Sequence, residues 1–290
     1  MENFNHRIIV TGGMGYIGSE LLNKIKNNSM DYLSIDKINE QELNSLCLDL
    51  GDYEKIFKVI NDFKPSVLIH CGTHSAIAYK DHFFESFIED FKALVNILKS
   101  ITPDCKLIYF SSSYVYSGLP IDEKFDENTF LLPKHNFGVA KSFFEQFILR
   151  NHKNSVIFRL SSVFGKGEGR CPNTILNFVK DCIERGRIEI WGYGNRKIQY
   201  IFMDDVLNYV FESFHMDSGI YNLGGEDYVS VADVAKMIAG LFGSDVIFLK
   251  DKPEGETLPF IDNDKLKLVL NKNLFTPFSS ALMKYLILFK

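Results

Sequence analysis

With 290 residues, 46% of them apolar and 26 of them Phe, the chain has side-chain volume for one large core, or for two unequal lobes that share it. A net charge of −5 excludes a surface that binds nucleic acid generally, while leaving room for a local basic pocket for phosphates. Cys47, Cys71, Cys105, Cys171 and Cys182 show no CxxC or Cys/His ligand spacing, so no metal is expected; they read as buried free thiols of a cytoplasmic protein.

The start, "MENFNHRIIVTGG", has no apolar run of the kind a signal peptide carries. No stretch approaches the ~20 apolar residues of a membrane span, and the apolar tail "ALMKYLILFK" is expected to pack on the protein. Short apolar runs, "RIIVT", "YLSID", "SVLIHC", "KLIYFS" and "SVIFRL", read as strands. Between them Ile56, Ile60 and Phe63 recur at helical spacing up to Pro65. Phe84, Phe87, Ile88, Phe91 and Leu98 mark a second helical face, and its phenylalanines are predicted to be core rather than a cofactor box. This alternation predicts a parallel sheet covered on both faces. After about residue 165 the rhythm changes, through "GKGEGRCPN", a helix, "RIEIWG", "GYGNRK", "GIYNLG" and a helix starting near Ser230. Residues 1–165 are therefore expected to form one domain, with 166–290 a smaller, partly interleaved lobe.

"IIVTGGMGYIGSELL" sets Gly12, Gly15 and Gly18 between a strand and a helix, where unpaired N–H groups face a pyrophosphate. Tyr16 and Ile17 belong to the same loop. Asp36 ends the next strand at the spacing expected for an acid that binds adenosine ribose hydroxyls. NAD is thus the expected cofactor over NADP, with the adjacent Lys37 weakening that preference. Asp49 and Leu50 are placed beside the adenine, and Gly72 at the cofactor face. His74 is placed to touch the site, though a single His is more often structural.

The motifs "TGGMGYIGS", Asp36, "YFSSSYVYSG", "FGVAK", "FRLSSVFGKG", "FMDDV" and "GIYNLGG" occur in an order that resembles the extended short-chain dehydrogenase/reductase family, its epimerase/dehydratase and dTDP-4-dehydrorhamnose reductase-like branches included. The resemblance implies a Rossmann doubly wound α/β domain with a C-terminal substrate lobe. It also implies NAD, a nucleotide-sugar substrate and a homodimer. Family sites use Ser or Thr to hold the reacting oxygen, Tyr as acid/base, and Lys one turn later. Ser112 matches the first, with Ser111 beside the cofactor, and Lys141 matches the last. Where the Tyr belongs stands Phe137, which has no proton to exchange.

Three accounts of Phe137 are open: a silent NAD-binding regulatory or scaffold protein, a substitute base such as Tyr114, Tyr116, His135 or a water chain, or a Tyr→Phe replacement engineered into a working frame. The intact glycines, Asp36, Ser112 and Lys141 favour the last. The family's dehydratases carry Asp-Glu where this chain has Ser113 and Tyr114, which points to 4-keto-sugar reduction or C4 epimerisation instead. By the resemblance, Ser113, Tyr114, Ser162, Arg196 and Lys252 are the substrate contacts. Arg196 and Lys197 lie upstream of Ile198, the position that aligns with a family Arg. Trp191 is expected in core packing at the lobe junction.

Overall fold

The computed structural model describes residues 6–38, 44–167 and 173–290. The first half runs β1 (Arg7–Thr11), α1 (Tyr16–Asn27), β2 (Asp31–Asp36), β3 (Ser45–Cys47), α2 (Tyr53–Phe63), β4 (Val67–His70), α3 (Ala76–Asp81), α4 (Phe83–Ser100) and β5 (Lys106–Ser112). Then come β6 (Lys124–Phe125), α5 (Asn136–Asn151), β7 (Ser155–Leu160) and β8 (Ser162–Phe164). Seven strands form one parallel sheet in the order β7-β5-β4-β1-β2-β3, with a strand from the second half outside β7.

The period-2 alternation of β1 explains the two covered faces. Ile8 and Val10 join Leu21, Leu22 and Ile25 of α1 on one side, while Ile9 joins Ile56, Ile60, Leu94 and Ile97 on the other. Helix α2 starts where Asp52 accepts from Lys55 N at 3.3 Å. It stops at Lys64, left-handed at φ 51°, just before Pro65.

The second half begins with α6 (Thr174–Arg185), β9 (Arg187–Trp191), β10 (Lys197–Phe202) and α7 (Met203–Glu212). It continues through β11 (Gly219–Leu223), β12 (Tyr228–Ser230), α8 (Val231–Phe242), β13 (Asp245–Leu249), β14 (Phe260–Ile261), α9 (Asp264–Leu270) and α10 (Phe278–Leu286). β11 pairs in parallel with β7, and α7 packs into the α1 side of the sheet, so the two halves interleave. The remainder builds its own core from Phe164, Ile175, Val179, Ile188, Tyr200, Val234 and Leu282. Ser230 caps α8, accepting from Asp233 N at 3.0 Å. The tail packs as expected through Leu282, Tyr285 and Leu286, but Ile287 and Leu288 face outward. No helix among the described residues is long and apolar enough to cross a membrane.

Three expectations need correction. Phe84, expected in the core, is 73% exposed, and its neighbour on that face, Ile88, is 63% exposed. They lie four residues apart on the ridge of α4 turned from the sheet, whereas Phe87 and Phe91 pack between α4 and α5, Phe87 stacking on Phe144 at 5.3 Å. Trp191 is 57% exposed, because alternation along β9 buries Ile188 and Ile190 and turns Arg187 and Trp191 outward. Cys105 and Cys182 are buried free thiols and Cys71 is half-buried, but Cys47 is exposed on the short edge strand β3; Cys171 lies outside the described residues.

Candidate active site

The loops after β1 and β4 meet at the C-terminal edge of the sheet. Gly12 has φ +71°, and a Cβ there would stand 2.5 Å from Gly72 N, so the close approach of the two loops requires glycine. A Cβ on Gly18 would stand 2.1 Å from Gly12 O, which fixes how closely α1 rests on the loop. Asp36 ties this loop to β2, its carboxylate accepting from Met14 N at 2.9 Å and Ile38 N at 3.0 Å. A cavity of about 570 Å³ opens here, lined by Gly12, Gly15, Asp36, Asp49, Leu50 and Gly72 among others. Tyr16 and Ile17 instead pack against the core under α1. The cradle that a Cβ would fill, the N-terminus of α1 and the fixed Asp36 together fit a dinucleotide. Lys37 is paired with acids: its Nζ lies 3.1 Å from Glu89 Oε2 and 4.0 Å from Asp49 Oδ1.

Lys141 projects from the first turns of α5 and is 2% exposed. Its ammonium donates to Thr73 Oγ1 (3.1 Å), Tyr109 Oη (3.1 Å) and Phe110 O (2.9 Å). Those are the three donors an ammonium has. Burial pushes its pKa down to about 8, against the pull of Asp90 and Glu145. The Phe137 ring centre lies 5.3 Å from Nζ, with Tyr79 and Tyr114 packed on its other sides at 5.5 and 5.7 Å. Asp90 collects Tyr79 Oη at 2.8 Å and His74 Nδ1 at 2.7 Å, and that bond raises the His74 pKa. His74 lines the cavity, so of the two readings open to it the contact with the site holds, alongside its bond to Asp90. Thr73, Tyr109 and Asp90 are missed by sequence reasoning: Tyr109 reads as one more apolar strand residue, and Thr73 is hidden in "HCGTH".

Ser112 ends β5 and accepts from Tyr114 N at 3.3 Å, capping a single 3₁₀ turn over 113–116. Ser111 does not open to the cavity. Its hydroxyl donates to buried Glu145, which pairs with Arg159 at 2.7 Å and so ties β5, α5 and β7 together. Tyr116 cannot replace the absent phenol, because its hydroxyl is buried, accepts from Arg159 Nη1 and has Asp126 O and Asn222 Oδ1, both at 2.9 Å, as acceptors for its one proton. His135 is held by Glu256 at 2.7 Å.

On the lobe side, Ser113, Tyr114, Ser162 and Arg196 line one small cavity of about 30 Å³. Arg196 also lines a neighbouring cavity of about 580 Å³, with Asn177, Trp191 and Glu254. Lys252 is not brought to either cavity; its ammonium lies 5.9 Å from the Trp191 ring centre. Ile198 is buried, and the two cations just before it in sequence, Arg196 and Lys197, line the small cavity.

A putative UDP-glucose 4-epimerase of Methanocaldococcus jannaschii is 26% identical to this chain over 270 residues, covering 86% of the chain and 87% of that protein. The UDP-glucose 4-epimerase of Thermotoga maritima, solved with UDP-glucose, superposes with a TM-score of 0.86 at 18% identity, covering 98% of each chain. A dTDP-4-dehydrorhamnose reductase of Bacillus anthracis, solved with NADP, gives 0.82 at 20% identity, covering 98% of this chain and 99% of that one. These structural likenesses carry the fold, a Rossmann-type sheet with a second lobe. Residues 8–224, well over half of the sequence, match the NAD dependent epimerase/dehydratase family, and the chain, with the dinucleotide cradle and Asp36 in place, belongs to that family.

Proposed function

We propose that this chain binds NAD and a nucleotide-activated sugar in a frame for 4-keto-sugar reduction or C4 epimerisation, and that Phe137 disables its proton step. The observation carrying this reading is the Phe137 ring 5.3 Å from the Lys141 ammonium, with Tyr114, whose amide Ser112 caps, packed on that ring. Bound NAD would supply the hydride acceptor or donor. Gly12, Gly15, Asp36 and Leu50 would hold it, and Lys141 would contact its ribose after releasing one of its present acceptors. Ser112 would orient the reacting sugar oxygen, and Ser113, Tyr114, Ser162 and Arg196 would hold the sugar nucleotide. The names of the relatives support the substrate class, and Ser113–Tyr114 in place of an acidic pair supports reduction or epimerisation over dehydration.

With every other part of the frame present, we read Phe137 as a Tyr→Phe replacement; a parent gene that itself encodes Phe would exclude this. The second reading, a silent NAD-binding regulatory or scaffold protein, is favoured by the three protein acceptors that already occupy Lys141. NADH-linked turnover of Phe137→Tyr on a panel of nucleotide sugars separates the two. Turnover supports the enzyme, and continued silence with NAD bound supports the binder.

A division near residue 165, a cytoplasmic setting in keeping with free thiols, and a homodimer complete the proposal. The dimer is supported by exposed Phe84 and Ile88 on α4 and Val139 and Phe143 on α5.

A further inference from the structure

The segment 253–257 crosses the lobe side of the site and is fastened at several points. Glu254 reaches back to the turn after β9, where its carboxylate accepts from Tyr193 N at 2.8 Å and Arg196 N at 2.7 Å. Gly192 and Gly194, at φ +70° and +72°, curl that turn so that its amides converge on one acceptor. A Cβ on Gly192 would stand 2.4 Å from Glu254 Cγ, so the side chain fills the concavity. The same segment then grips Arg196, whose Nε donates to Glu256 O at 2.8 Å, and Gly255 leaves the room that the guanidinium occupies. Finally, Glu256 meets His135 at 2.7 Å, at the start of the helix that carries Phe137 and Lys141.

Charge makes this fastening consequential. Among the described residues lining the 580 Å³ cavity, Arg196 is the sole cation, whereas Asp181, Glu189 and Glu254 are acids. A diphosphate entering there depends on Arg196 and is repelled by any loose carboxylate. The clasp serves both needs, because it turns the Glu254 charge into the backbone amides and fixes the backbone and side chain of Arg196 through one segment.

We propose that Glu254 is a positioning residue for the diphosphate end of the substrate, holding Arg196 at the wall between the larger cavity and the one beside Tyr114. The inference rests on the nucleotide-sugar reading above.

The test titrates the NAD-loaded full chain with UDP-glucose and dTDP-glucose by calorimetry, for the parent, Glu254→Gln and Glu254→Asp. Hydrogen exchange at the amides of 193–196 is followed in parallel. Gln replaces one acceptor with a donor and should weaken the sugar nucleotide that binds by ~10-fold or more, with NAD affinity unchanged and the amides deprotected. Asp keeps both acceptors and should recover part of the loss. Unchanged sugar-nucleotide affinity in Glu254→Gln, with or without deprotection, overturns the inference. A parent that binds NAD but neither sugar nucleotide overturns the substrate reading itself, and the inference with it, before any substitution is made.

Discussion

Lys141 Nζ donates to Tyr109 Oη at 3.1 Å, while Phe137, one helical turn before it, offers only the face of its ring at 5.3 Å. A phenol–ammonium pair therefore exists in this cleft, but its phenol belongs to β5 beneath the helix. Burial holds the Tyr109 hydroxyl well above its ordinary pKa, with the charge of Asp90 acting in the same direction. It can anchor Lys141, but it is 1% exposed and faces the packing of α4 and α5, so it does not stand in for the residue missing from position 137.

Phe137→Tyr should restore what the frame lacks. The new hydroxyl would enter a setting already built for it, between Tyr114, Tyr79 and the Lys141 ammonium, whose charge favours the phenolate. NADH-linked turnover on the matching nucleotide sugar should rise by about 10²–10⁴-fold, the usual worth of a positioned acid/base. A rise below ~10-fold over measurable turnover of the Phe137 protein would mean that some other group already carries the proton, whereas silence in both supports the binder.

Lys141 should make stability depend on pH in a predictable direction. The unfolded chain keeps the lysine proton up to about 10.5, whereas the folded protein releases it near 8. Between those values the unfolded state binds more protons, so this group's contribution to stability rises with pH. Below pH 8 the buried ammonium carries its full cost, about 3 kcal/mol. Denaturant unfolding of the parent and Lys141→Met, compared at pH 7 and 9.5, should show the difference moving toward the parent by about 2 kcal/mol. A constant difference would mean that Lys141 has an ordinary pKa in the folded protein.

The exposed face of α4 and α5 should be lost to solvent in a dimer. Phe84 and Ile88 are exposed one turn apart on α4, and Val139 and Phe143 are exposed on α5, apolar surface that a dimer would cover. The parent should sediment at twice the chain mass, and Phe84→Glu with Ile88→Glu should sediment as a monomer that still binds NAD. A monomeric parent would leave the patch without this role.

How much of this was legible depended on whether the cause was local. Gly12, Gly18 and Asp36 announce themselves because a turn, a close approach and a strand end each restrict residue type within a short window. The phenylalanines of α4 were legible only as helical, since five apolar residues over four turns wrap past one stripe, and the partner face decides which ones are covered. Trp191 could have been read correctly. The alternation Arg187-Ile188-Glu189-Ile190-Trp191 already puts it with the charged residues, and its size argued for the wrong side. The partners of Lys141 come from after β4 and from within β5, and Glu254 meets a turn about sixty residues earlier in the chain. Pairings of that range are set by topology, which a motif does not contain.

Cofactor choice should turn on two carboxylates. Asp36 holds the loop after β1 through Met14 N, and in the family's arrangement faces the adenosine ribose, so Asp36→Ala should weaken NADH by ~10-fold or more. That change alone should admit NADPH poorly. Removing the repelling carboxylate still leaves Lys37, the nearest cation in sequence, held by Glu89 at 3.1 Å and close to Asp49. Adding Glu89→Gln weakens that hold and leaves Lys37 available to a 2′-phosphate. The double variant should therefore favour NADPH by more than the two single changes combined, as expected for residues that share a partner. Dissociation constants for NADH and NADPH, measured for the four proteins at one ionic strength, decide it. Strict additivity would show that the Lys37–Glu89 pair is a surface contact with no part in cofactor selection.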